Sequence, residues 1–62
     1  MKHFYTTKEV AEMLGVHPRT ASNRIRTLNE ELKNEGYWIE PGKIPVVVFH
    51  QKYPYIEKEE VV

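Results

Sequence analysis

Cysteine is absent from this 62-residue chain, which excludes disulfides and cysteine-ligated zinc. The three histidines, His3, His17 and His50, are far apart and lack paired metal-ligand spacing, so no metal site and no cofactor is expected. No apolar run approaches the roughly 20 residues of a membrane span. No basic start followed by an apolar stretch marks a secretory signal. These absences point to a soluble protein of the cytoplasm. The chain is also short. A domain of about 60 residues buries only about 60% of its unfolded surface and is marginal without a staple. Regular helix packing, a partner chain or a nucleic acid must supply what disulfides and metals do not. A ligand cleft of about 300–1,000 Å³ needs more scaffold than this, which argues against an enzyme.

What is present is a globular composition, with 40% hydrophobic residues. The formal net charge is zero, yet its distribution is uneven. Residues 16–28 carry Arg19, Arg24 and Arg26 with no acid. Residues 29–35 carry Glu30, Glu31 and Glu35 against Lys33 alone. A basic patch followed by an acidic segment says more than the sum, although a solvated helix surface can look the same.

One domain over 1–56 is expected, with an acidic, frayed tail at 57–62. Thr6 is a good N-cap for a helix over 7–14, and Glu9 completes a capping box. Val10, Met13 and Leu14 fall at helical spacing. Gly15 suits a left-handed C-terminal position. Pro18 then sits in the first turn of a second helix, where a missing N–H costs nothing. Over 18–35 the residues Ala21, Ile25, Leu28 and Leu32 make an apolar stripe that runs to Gly36. Beyond it, Tyr37 to Ile39 and Ile44 to Phe49 read as strands around a Pro41-Gly42 turn, giving a β-hairpin over 37–49 with Lys43 at its tip. Pro45 confines the second arm to an edge or bulge. The alternative ends that strand at Pro45 and begins a short helix carrying Phe49 and Tyr53 at i and i+4. Met1 to Tyr5 can add a short strand, with Phe4 and Tyr5 covering the core. Expected to be buried are Val10, Leu14, Val16, Ala21, Ile25, Leu28, Trp38 and Ile39.

Two helices joined by a glycine turn, the second amphipathic and basic at its start, make a helix-turn-helix signature. Small Ala11 lets the second helix pack closely, Gly15 permits the turn, and Val16 plugs the corner. The fold class is therefore α+β: a winged helix-turn-helix, two helices followed by a hairpin wing. The run from Thr7 to Ala21 resembles the opening of winged helix-turn-helix DNA-binding domains, in particular the small excisionase-like and MerR-like proteins of phages and mobile elements. The stretch Arg24 to Ile39 is similar to both excisionases and DeoR-type regulators. The resemblance spans about residues 6–49. The chain departs from the pattern at the cap, where His17 replaces Ser or Thr, and in the wing, where Pro45 and a valine run replace an arginine-rich strand.

Such a domain would insert the N-terminal half of helix 18–35 into a major groove. Arg19, Ser22, Asn23 and Arg26 would face the bases. Arginine forks onto guanine O6/N7 and asparagine onto adenine N6/N7. Thr20, Arg24 and His17 lie on the flanks and suit phosphates, as does Lys43 on the wing. The acidic far half of the helix must lead away from the duplex. Each residue also has a plainer reading. Arg24 and Arg26 can pair with Glu30 or Glu31 along the helix. Asn23 and Lys43 can be solvated, His17 a cap, and Tyr37 and Trp38 hairpin core. Ser22 and His17 lack a third partner for catalysis.

The expectation is a non-catalytic binder of double-stranded DNA. It acts as a regulator of a small operon or, as the resemblance implies, as an architectural recombination factor that works with an integrase or a second copy of itself. The competing reading is a winged module used for protein–protein contact, favoured by the zero net charge, the acidic half-helix and the valine run.

Overall fold

The computed structural model describes residues 2–56; the tail at 57–62 lies outside the described residues. The elements are β1 (Phe4–Thr6), α1 (Thr7–Leu14), α2 (Pro18–Asn34), β2 (Lys43–Pro45) and α3 (Val46–Lys52). No helix among the described residues is long and apolar enough to cross a membrane.

Local chemistry sets both helix starts. Thr6 Oγ1 accepts the Glu9 N–H at 3.3 Å, and Glu9 Oε1 accepts the Thr6 N–H at 2.9 Å, closing the capping box. Gly15 ends α1 at φ 69°, a left-handed conformation that suits glycine. The Val16 N–H then returns to the Ala11 carbonyl at 3.0 Å. His17 caps α2, and Pro18 occupies its first turn. The helix-turn-helix is thus as expected, and so is the α+β class with an antiparallel strand pair.

The pairing of the wing strand is different. No strand forms over 37–40. The β2 strand pairs with β1, in the register Phe4↔Pro45, Tyr5↔Ile44, Thr6↔Lys43. Tyr5 and Ile44 both point into the core, and this shared apolar face selects the partner. The Pro41-Gly42 turn is present: the Lys43 N–H reaches the Glu40 carbonyl at 3.1 Å, and Gly42 has φ 75°. Proline then a positive-φ glycine is the preference of a type II turn. The valine run after Pro45 is helical, as in the alternative that placed Phe49 and Tyr53 one turn apart. Phe49 is fully buried, and this burial overrides the strand preference of Val46, Val47 and Val48. Pro45 ends the strand without interrupting the ladder, because the next N–H, of Val46, donates to the His3 carbonyl at 2.9 Å.

The core is Tyr5, Val10, Ala11, Ala21, Ile25, Leu28, Ile44 and Phe49. Leu14 and Val16 are half-buried against it. Ile39 is half-buried, whereas Trp38 is 98% exposed. With no hairpin to give 37–39 an inner face, the indole has nothing to pack under. Tyr5, Phe49 and His50 stack edge to face with ring centres 5.3–5.5 Å apart. The Tyr5 hydroxyl and His50 Nε2 share a 2.8 Å hydrogen bond, giving His50 a structural role between β1 and α3.

Candidate nucleic-acid interface

Helix α2 presents two surfaces. Ala21, Ile25 and Leu28 are buried. Roughly opposite them, at spacings of three and four, Arg19, Asn23, Arg26 and Glu30 are exposed, with half-buried Ser22 at the edge of the row. Arg24 is exposed and Thr20 half-buried on the flank. The Thr27 hydroxyl donates to the Asn23 backbone carbonyl at 3.1 Å, and the Asn23 residue itself is exposed.

The plainer pairing of these arginines is not realised. Arg19, Arg24 and Arg26 form no ion pair among the described residues. Glu31 is held instead by Lys52 of α3, at 3.2 Å. The guanidinium groups therefore remain available to an outside acceptor. His17 stands at the head of the helix, and its Nδ1 accepts the Arg19 N–H at 3.0 Å. It takes the cap role usually filled by serine or threonine, so one ring nitrogen is committed to the helix.

Lys43 is exposed, but it begins β2 rather than occupying a free hairpin tip. The turn before it is fastened from two sides. The Thr7 hydroxyl donates to the Gly42 carbonyl at 3.3 Å. Asn29, only 4% exposed, donates from Nδ2 to the Lys43 carbonyl at 3.0 Å and to the Glu40 carbonyl at 3.4 Å. A cleft of about 250 Å³ opens between α2 and this turn, bordered by Ser22, Arg26, Asn29, Glu30, Pro41 and Gly42. Asn29 Oδ1 is buried without a hydrogen-bond partner among the described residues. Sequence reasoning passed over Asn29. Its signal was its position: it lies four residues after Ile25 and three before Leu32, inside the apolar stripe.

Among the described residues no group of three or more His, Asp or Glu side chains is placed to hold a metal ion. Electrostatically the helix is divided along its length, with Arg19, Arg24 and Arg26 before Leu28 and Glu30, Glu31 and the cap residue Glu35 beyond it, against Lys33. An anion approaching the N-terminal half meets the arginines together with the positive end of the helix dipole.

No family model matches the chain, and no solved structure does. Among curated proteins it is 36% identical over 52 residues to the ICEBs1 excisionase of Bacillus subtilis strain 168, a match that covers 84% of this chain and 81% of that one. Identity at that level over most of both chains is kinship along the whole fold, well beyond a shared turn motif: this chain belongs to the excisionase family.

Proposed function

We propose that the protein binds double-stranded DNA sequence-specifically as an excisionase-type architectural factor of a mobile element, inserting the N-terminal half of α2 into the major groove. The observation that carries this reading is the row of Arg19, Asn23 and Arg26 on one exposed face of α2, flanked by Arg24, with no ion pair to the arginines among the described residues and no acid in the helix before Glu30. Arg26 and Asn23 read base edges. Arg19, Arg24 and Lys43 hold phosphates, with Thr20, Ser22 and the outer edge of His17 completing the contact. The acidic end of the helix is directed away from the duplex. The protein performs no chemistry itself. It prepares a DNA shape on which a partner recombinase acts, alone or beside a second copy of the chain, within the cytoplasm. The kinship with an excisionase supports recombination over operon regulation.

Salt tests the reading. Three phosphate contacts give a slope of about −2.7 in log affinity against log salt, a roughly 40-fold loss between about 50 and 200 mM. Affinity for any DNA that is flat across that range would refute the interface.

A further inference from the structure

The most exposed apolar surface lies elsewhere. Trp38 is 98% exposed, Tyr37 61% and Val47 67%. They border a groove of about 350 Å³ between the end of α2, the following loop and α3, with Leu32 and Val48 in its lining. The groove holds one charged side chain, Glu35, which forms no ion pair among the described residues. No lysine or arginine among the described residues lines it. Lys33 borders the hollow on another side of Trp38, so the loop separates an acidic side from a basic one.

This chemistry selects an occupant. A carboxylate with no cation beside it among the described residues repels phosphate, which disfavours nucleic acid as the ligand. Two exposed aromatic rings beside a carboxylate favour a cation laid over a ring face, and the neighbouring Leu32, Val47 and Val48 favour an apolar anchor. We propose that this groove docks a segment of a partner protein that presents a lysine or arginine next to an aliphatic side chain. The site lies about 13 Å along the helix from Arg26, at nine residues of 1.5 Å rise. Both surfaces can be occupied at once, and the inference stands whether or not the arginine face binds DNA.

Trp38 is the chain's only tryptophan, so its fluorescence reports this loop, and the charge of the peptide separates the Glu35 groove from the Lys33 side. The experiment measures acrylamide quenching of the full chain titrated with a short peptide of leucine and arginine, and with its leucine and glutamate counterpart. The basic peptide should about halve the quenching constant saturably, as the ring is covered. The acidic peptide should leave it unchanged. Glu35→Lys should weaken the basic peptide about tenfold and let the acidic one bind. Trp38→Phe, followed by the peptide's own label, should retain binding, whereas Trp38→Ser should lose it with helicity unchanged. Any of four results would overturn the proposal: no protection by the basic peptide, equal protection by both, protection by duplex DNA, or protection that grows with protein concentration alone. The last two would assign the ring to DNA or to a second copy.

Discussion

Replacing Asn29 tests how the recognition helix and the wing turn are joined. Its Nδ2 makes one good hydrogen bond, 3.0 Å to the Lys43 carbonyl, and one long one, 3.4 Å to that of Glu40. A net hydrogen bond contributes about 0.5–1.5 kcal/mol, and the longer one sits at the low end. Against this, the buried unpartnered Oδ1 costs about 1–3 kcal/mol of desolvation. The two terms nearly cancel, but Asn29→Leu also takes the donor from the Lys43 carbonyl, so it should cost about 1–3 kcal/mol. Asn29→Asp keeps the shape but sets a carboxylate against two carbonyls. It should cost about 2–4 kcal/mol at neutral pH. A domain of this size has roughly 3–9 kcal/mol in all, so that is a large share. Burial would raise the new carboxyl's pKa above its unfolded value. The penalty is then largest above the folded pKa and shrinks as pH falls and the acid protonates. Urea unfolding followed by far-UV circular dichroism measures both variants. An Asn29→Asp chain within about 0.5 kcal/mol of wild type and indifferent to pH would refute the reasoning, because two carbonyls would then not face that amide.

Arg26→Ala should cost about 1–3 kcal/mol at the preferred site and relax one base pair, and Asn23→Ala should do likewise at a neighbouring pair with little loss of non-specific affinity. Binding-site selection checks this, and identical preferred sequences from wild type and both variants would place specificity elsewhere. Lys43→Ala should weaken all sequences alike and lower the salt slope by about one; unchanged binding in filter titrations would remove the wing from the interface. Hydrogen bonds from Lys2, first, and from the Thr6 N–H hold the Glu9 carboxyl below its ordinary pKa. A depressed folded pKa gives stability that is present above about pH 4.3 and lost as pH falls through the folded value. Glu9→Gln should therefore be less stable than wild type at neutral pH and converge with it in acid, read from urea midpoints across pH; a constant gap would contradict the shift.

Much of the helix-turn-helix was legible because its signals are local. Thr6, Glu9, Gly15 and Pro18 each act within a turn of the chain, and the Ala21 to Leu32 stripe needs only its own period. The wing was misread where the deciding contacts are distant. Tyr37 and Trp38 have strand-forming side chains but no inner face, because Ile44 meets Tyr5 from the other end of the chain. The valine run reads as strand or as a short helix after Pro45, and the burial of Phe49 decides for the helix. Arginines on the exposed face of α2 were readable from spacing. That they form no ion pair among the described residues was not, since spacing alone also allowed Arg26 to meet Glu30. Asn29 was hidden because an asparagine within an apolar stripe gives no sign of which carbonyls it will meet.

The strand pair has a kinetic consequence. Thr6 and Lys43 become neighbours only when everything between them, both long helices included, has been drawn into a loop. Closing about forty residues costs roughly 1 kcal/mol more entropy than closing ten. The two helices can form and meet through near-neighbour contacts first, and the sheet is left to join the chain's beginning to its later part. During synthesis the first strand leaves the ribosome well before its partner exists. Until Pro45 has emerged, the helical pair stands unclasped, and only then can the domain acquire all-or-none resistance to unfolding.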